Sequence, residues 1–411
     1  MARRQNTSKL YIPEPPFRPG DKPDFSSIKI PAEHSPSRPD PLVDAYDTEA
    51  MATGLVRVLK LDGTIKGDWD PKLSPDVLRK ALRTMMLTRI VDKRMFNMQR
   101  QGKLSFYMKS VGEEAVAVAT AMALRDSDMV FPTYRQQGIL MARGWPLMDL
   151  MCQCLSNKGD KLDGKAIPIC YSVREKGFYS ISGNLGTQVI QAVGWAMACA
   201  YKGEDGIAVA FTGEGATAEG DFHYALNFAS TYHAPVIINV VNNQWAISTF
   251  QGMAAGESRS FASRGLGFGL ASLRVDGNDF LAVYAAVKWA AERARLGGGA
   301  TVIEHFTYRK EGHSTSDDPS KYRAEGEADA WPFGDPIYRL KDHLVRIGEW
   351  DKERHHAMIR ELEEEVRETY KKAEALGTLA DENMINPKTM FEQVFEQVPT
   401  HLKRQRQELG I

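Results

Sequence analysis

Apolar and polar positions change period several times along the chain, and each change marks an element. Residues 207–211 form a short unbroken apolar run that stops at Gly213-Glu214-Gly215, the pattern of a strand buried on both faces and closed by a turn. From about 217 to 232 the apolar positions Phe222, Leu226 and Ala229 fall at helical spacing, and after Ala234-Pro235 a second apolar run, 236–241, ends at Asn242-Asn243. Strand, helix and strand in this order predict a βαβ unit. Both loops then leave the carboxyl edge of neighbouring parallel strands, where open α/β sheets bind their ligands, so Glu214 and Asn243 are expected to meet in space.

The same reading extends in both directions. Ser74-Pro75 opens a helix whose core positions are Leu78, Leu82, Met85, Met86, Ile90 and Phe96, closed near Gly102. Ser110 with Glu113 has the spacing of a capping box before an Ala-rich helix to Leu124. Residues 128–131 read as a strand end, which puts Thr133-Tyr134-Arg135 in a loop on the same edge. The stretch 187–201 is apolar nearly all round and predicts a buried helix. Residues 270–275 and 301–305 predict two more strands with a helix, 281–296, between them. The sum is an α/β fold: an open, mostly parallel, doubly wound sheet of five or six strands with helices on both faces.

Flanking this body, nine prolines in the first 54 residues forbid regular helix. The scattered aromatics Tyr11, Phe17, Phe25 and Tyr46 argue for an arm that lies on a neighbouring subunit. Residues 55–61, Asp62-Gly63 and Thr64-Ile65 predict a small hairpin. The Gly- and Arg-rich stretch 259–268 reads as a mobile surface loop, and 336–376 as a helical stripe from Leu340 to Tyr370 ended by Gly377. Phe391 and Phe395 before Pro399 predict a short docking helix. The chain divides into an arm with hairpin (1–74), an α/β domain (75–335) and a helical C-terminal region (336–411).

Composition narrows the function by exclusion. With 411 residues, 43% of them hydrophobic, and a net charge of −1, the chain can bury a large core and has no electrostatic footprint for nucleic acid or an anionic membrane. No run reaches the ~20 apolar residues of a spanning helix, and no secretory apolar core is seen. Cys152, Cys154, Cys170 and Cys199 have no CxxC or zinc spacing and are expected to be reduced thiols. Arg3, Arg4 and Lys9 hint at a mitochondrial presequence, but the stretch turns proline-rich at once. A bacterial cytoplasm is the expected location, the mitochondrial matrix the alternative.

Charge decides what the predicted edge holds. Glycines and a helix N-terminus suit an anion, yet Glu214 would repel one unless a hard cation lay between. Mg²⁺, with about six oxygen ligands, fits: the Glu214 carboxylate, the Asn243 amide, a carbonyl such as that of Trp245, two phosphate oxygens and a water. A diphosphate ligand is thereby implied. Arg135 offers a guanidinium for it, and His313, in the unpatterned loop 308–323, can donate to phosphate or move protons.

A Gly-Glu-Gly followed after 26 residues by an Asn pair resembles the thiamine-diphosphate motif. TYRQQG (133–138), SISGNLGTQ (180–188), RVDGND (274–279) and TYRKEGHSTSDDPSKYR (307–323) resemble one family over residues 75–345: the α subunits of 2-oxoacid dehydrogenase decarboxylase components, most closely the branched-chain type. The resemblance implies a thiamine-diphosphate-binding fold. It also implies cofactor contacts from Tyr134, Arg135, Gly183, Leu185, Gly213, Glu214, Gly215, Ala216, Asn243 and His313, and Mg²⁺ on Glu214, Asn243 and the Trp245 carbonyl. Leu185 props the bent cofactor and His313 serves acyl transfer to lipoamide. Gly183 and Thr133 stand where the family commonly has Ser and Gln. Ser182, Asn184, Thr187 and Gln188 align with a potassium site, and Ser314 with a regulatory phosphorylation site, of animal members. No motif supplies the glutamate that activates the cofactor's pyrimidine, which implies a β subunit, an α2β2 heterotetramer and an active site shared between chains. A lipoyl-bearing acyltransferase is the implied acceptor and a branched-chain 2-oxoacid the substrate. Pyruvate or acetoin, or a non-catalytic cofactor-binding paralogue, are the alternatives; a nucleotide-binding dehydrogenase lacks its G-x-G-x-x-G here.

Overall fold

The structure is a computed structural model and describes residues 10–28, 35–256, 258, 260–379, 387–392 and 394–411. The presequence hint at Arg3, Arg4 and Lys9 lies outside them. Five parallel strands form the central sheet: β1 (Met129–Phe131), β2 (Ala208–Gly213), β3 (Val236–Asn242), β4 (Ala271–Asp276) and β5 (Thr301–Phe306), in the order β1-β2-β3-β5-β4. Alternation along each strand sorts its side chains between two cores. Ala208, Ala210, Val236, Ile238 and Val240 face one side with Phe222 and Leu226; Val209, Phe211, Ile237 and Val241 face the other.

That second side is thick. Helices α1 (Pro75–Arg100), α2 (Glu114–Ala123) and α5 (Phe280–Arg295) pack there, with α6 (Pro336–Arg346) and α7 (Lys352–Glu374) laid against α1. The first side carries α3 (Thr187–Lys202), packed on β1, β2 and β3, and α4 (Gly220–Thr231), packed on α3. The expectation that α3 is buried all round is wrong. Val189, Ala192, Val193 and Ala196 face the sheet, but Gln191, Gly194 and Ala198 are exposed and Tyr201 is 94% exposed. Burial follows the layer a helix sits in, and nothing in the described chain lies outside α3.

Other expectations shift for local reasons. The predicted C-terminal helix is two, α6 and α7, broken at 347–351, and each is capped by an Asp side chain, Asp335 and Asp351. The last helix follows Pro399 (Thr400–Glu408), leaving Phe395 exposed although Phe391 is buried. Of the stretch 259–268, residue 259 lies outside the described residues; the rest is anchored. The Phe261 and Ala262 N–H groups donate to the buried Glu304 carboxylate, and Ser263–Leu266 forms a short helix. The hairpin forms, with a single Leu59–Ile65 bridge, and Val56 pairs with Val275 to cover the edge of β4. Phe25 of the arm folds back on the chain's own Trp331 and Tyr308, and Phe17 packs on Phe25, so these two rings are covered within the chain where a contact across subunits was expected. Beyond them, the carbonyls of Pro36 and Pro39 accept from the indole N–H groups of Trp69 and Trp289, at 2.7 and 2.9 Å.

Candidate active site

A cavity of about 170 Å³ opens at the carboxyl ends of β2 and β3. Parallel pairing of Gly213 with Val241 puts the two strand ends side by side, and the loops after them close to contact. A Cβ on Gly215 would stand 2.4 Å from the Ala246 Cβ, so only glycine permits this approach. Tyr134, Arg135, Leu185, Gly213, Glu214, Gly215, Ala216, Asn243, Trp245 and His313 all line the one cavity. Gly183 does not: it lies on the exposed loop before α3, with open space around it.

Glu214 is buried. Its Oε2 accepts the Asn243 backbone N–H at 3.4 Å, while Oε1 has no partner. Burial pushes its carboxyl up to about 7, against the backbone hydrogen bonds and the Arg309 guanidinium. A buried carboxylate oxygen without a hydrogen-bond partner is free to take a hard cation. The adjacent groups suit a cation: the Asn243 amide has its Nδ2 committed to Glu113 at 2.7 Å, while its Oδ1 accepts the Trp245 N–H at 3.3 Å and keeps a second lone pair. The Trp245 carbonyl already accepts from Arg309 Nη1 at 2.6 Å and keeps its second lone pair.

Positive charge surrounds this oxygen cluster. Arg135 is buried and anchored by the carbonyls of Lys109 and His313, the latter at 2.7 Å, and its Nη2 lies 3.1 Å from His313 Nδ1. A guanidinium only donates, so Nδ1 accepts and the imidazole proton sits on Nε2. Burial, Arg135 and Arg309 push His313 down to about 3, so the ring is neutral at pH 7. Arg309 braces the loop from below, donating also to the Ile247 carbonyl at 2.8 Å and the Tyr322 hydroxyl at 2.7 Å. Tyr322 in turn donates to Asp317, which accepts the His313 backbone N–H; both contacts are 2.6 Å.

Two residues of the cavity were not anticipated in these roles: Arg309, read only as part of a loop, and Glu113. The expected capping box does not form. The Ser110 N–H and hydroxyl both go to Asp92, at 2.6 and 2.8 Å, and Glu113 turns into the cavity. The signal was the pair Glu113-Glu114 at the head of a helix with nine buried residues, since two adjacent acids there cannot both be solvated caps. RVDGND, by contrast, belongs to the frame. Asp279 caps α5 and Asp276 pairs with Arg339 at 2.8 Å.

A doubly wound sheet gathers a carboxylate, an amide oxygen and two guanidiniums at its carboxyl edge, a set of groups suited to a cation and an anion side by side. A family model described as dehydrogenase E1 component matches residues 82–381, and one described as 2-oxoisovalerate dehydrogenase E1 alpha subunit N terminal matches residues 6–46. The chain is 56% identical over 403 residues to the 2-oxoisovalerate dehydrogenase subunit alpha of Pseudomonas aeruginosa, covering 98% of each. It is 39% identical over 358 residues to the mitochondrial subunit alpha of Bos taurus, covering 87% of this chain and 77% of that one. The corresponding Homo sapiens protein is 38% identical, with 87% and 79% covered. The chain belongs to the dehydrogenase E1 component family, which is thiamine diphosphate dependent.

Proposed function

We propose that this chain is the α subunit of a branched-chain 2-oxoacid dehydrogenase, decarboxylating 2-oxoisovalerate and its relatives and passing the acyl group to the lipoamide of an acyltransferase. The single observation that carries the site is the unpartnered Glu214 oxygen beside the Asn243 amide and beneath two guanidiniums; the named relatives carry the substrate class.

Thiamine diphosphate, bound in the cavity, supplies the nucleophilic carbon and the electron sink for loss of CO₂. The chain's own groups position it. Glu214, the Asn243 amide oxygen and the Trp245 carbonyl hold Mg²⁺, and Arg135 supplies charge for the diphosphate. Gly213, Gly215 and Ala216 allow close approach of the backbone, while Tyr134 and Leu185 wall the cavity; Gly183, from the loop before α3, remains an assignment by family pattern. His313 carries its hydrogen at Nε2 and, as a neutral donor, can hydrogen-bond an anionic oxygen; an anion bound beside the ring raises its affinity for a second proton. Potassium at Ser182, Asn184, Thr187 and Gln188 belongs to the same reading, supported by the buried, unpartnered Gln188 Oε1.

Among the described residues the cavity carboxylates are Glu113, Glu214 and Glu219. The first is bonded to Asn243, the second assigned to the cation, and the third is exposed. The glutamate that activates the pyrimidine is therefore assigned to a β subunit in an α2β2 enzyme. Residues 75–335 are taken as the cofactor domain, between the 1–74 arm and the 336–411 helices. A bacterial cytoplasm is the proposed location; no helix among the described residues is long and apolar enough to cross a membrane.

The test is decarboxylation of 2-oxoisovalerate with thiamine diphosphate and Mg²⁺ by this chain co-purified with its β partner, beside Glu214→Ala and with pyruvate as competitor. Activity on the branched acid that vanishes in the variant is expected. Activity on pyruvate alone overturns the substrate class, and cofactor binding without turnover of any 2-oxoacid points to the non-catalytic paralogue.

A further inference from the structure

An asparagine amide can ligate a hard cation only through its oxygen, yet its two ends have nearly the same shape. Something must decide which end is presented. We propose that Glu113 is the positioning residue that fixes the Asn243 amide with Oδ1 free for the cation, an inference that rests on the reading of the cavity given above. Asn243 Nδ2 donates to Glu113 Oε1 at 2.7 Å, and at the other end the Trp245 backbone N–H, which can only donate, meets Oδ1 at 3.3 Å. An acceptor on one side and a donor on the other specify the same orientation.

Glu113 is itself held rigidly. It is 3% exposed, at the head of α2, and its Oε1 lies 3.8 Å from Arg135 Nε. The residue before it, Gly112, has φ +100°, and a Cβ there would lie 2.2 Å from the Tyr308 carbonyl oxygen. The α2 end is thus wedged against the start of the His313 loop, which leaves the Glu113 carboxylate little choice of place. Without the acceptor, the buried Nδ2 has no partner, and a flipped amide turns two N–H groups toward the cation. Glu113 touches neither substrate nor cation in this scheme; it acts through Asn243.

The test uses the complex of this chain with its β partner, loaded with thiamine diphosphate and titrated with Mn²⁺, the free ion being followed by electron paramagnetic resonance. Glu113→Leu is expected to weaken Mn²⁺ binding by about 10–100-fold, the usual cost of losing a group that orients a metal ligand. Glu113→Gln keeps an acceptor for Nδ2 and is expected to stay near wild type. In an Asn243→Asp background both side-chain ends are oxygen and no orientation is needed, so adding Glu113→Leu is expected to cost no further affinity. A Glu113→Leu complex that binds Mn²⁺ as wild type does, or one whose loss is equal in the Asn243 and Asp backgrounds, overturns the inference alone. A wild-type complex that binds no Mn²⁺ overturns the reading of the cavity and this inference with it.

Discussion

The two faces of the central sheet are built from the same kinds of side chain and end differently. On the thick face, α1, α2 and α5 are covered again by α6 and α7; on the thin face, α3 and α4 are the outer layer, and Tyr201, Tyr224, Phe228 and Tyr232 stand exposed. Of the buried carboxylates of the cavity, Glu113 stands at the head of α2 on the thick side, while Glu214, with Ala216, lies in the loop leading to α4 on the thin side, where the loop to α3 adds Leu185. Both sides therefore hold a buried carboxylate at the carboxyl edge; what differs is the cover behind it, two helical layers on one side and a single layer open to solvent on the other.

The largest effect that sharpens this comparison is in the strands' own cores. Phe211 points into the thick side and Phe222 into the thin one, both fully buried. Phe→Ala in a core costs about 3–5 kcal/mol, more where the surroundings cannot relax. Urea unfolding is expected to put Phe211→Ala near the top of that range and Phe222→Ala near the bottom; equal losses break the distinction between the faces. Next comes the charge cage. An imidazole at about 3 in the folded state, against an ordinary 6.5, leaves the unfolded chain binding more protons between those values. Its stability contribution is therefore complete above pH 6.5 and falls as pH drops toward 3. Relative to His313→Gln, the wild type is expected to lose up to about 1.4 kcal/mol per pH unit in that window, read from unfolding curves at stepped pH. Parallel curves for the two proteins mean that neither burial nor the guanidiniums depress the ring. Smallest is Tyr201→Ser on the outer side of α3, expected within about 0.5 kcal/mol of wild type in thermal unfolding; a larger loss means that the thin face is covered within the chain after all.

What the sequence made legible follows the same division. Glu214 and Asn243 were placed together from strand ends and turn chemistry alone, because a βαβ unit has one handedness and one edge for its loops. Arg135 and His313 joined them through motif resemblance, since nothing local says that a loop near residue 313 returns to one near 135. Glu113 was misread because Ser-x-x-Glu has a strong local meaning, and the competitor for Ser110 was Asp92, on another helix. The exposed side of α3 was misread because composition reports how apolar a helix is and not how many layers will cover it. Arg309 bonding to the carbonyls of Trp245 and Ile247 depends on two loops some sixty residues apart, beyond any periodicity.

The strand order has a consequence for how the chain is made. β4 precedes β5 in synthesis, yet β5 is the strand that sits between β4 and β3. When β4 leaves the ribosome its place in the sheet does not yet exist, and it waits for the 30 residues from Gly277 to Phe306. At about 5–20 residues per second β4 waits roughly 2–6 s for its neighbour, and the apolar edge of β3, open since Asn242, waits about twice as long. The seconds before β5 arrives, rather than anything in the finished fold, are when this chain most needs a chaperone.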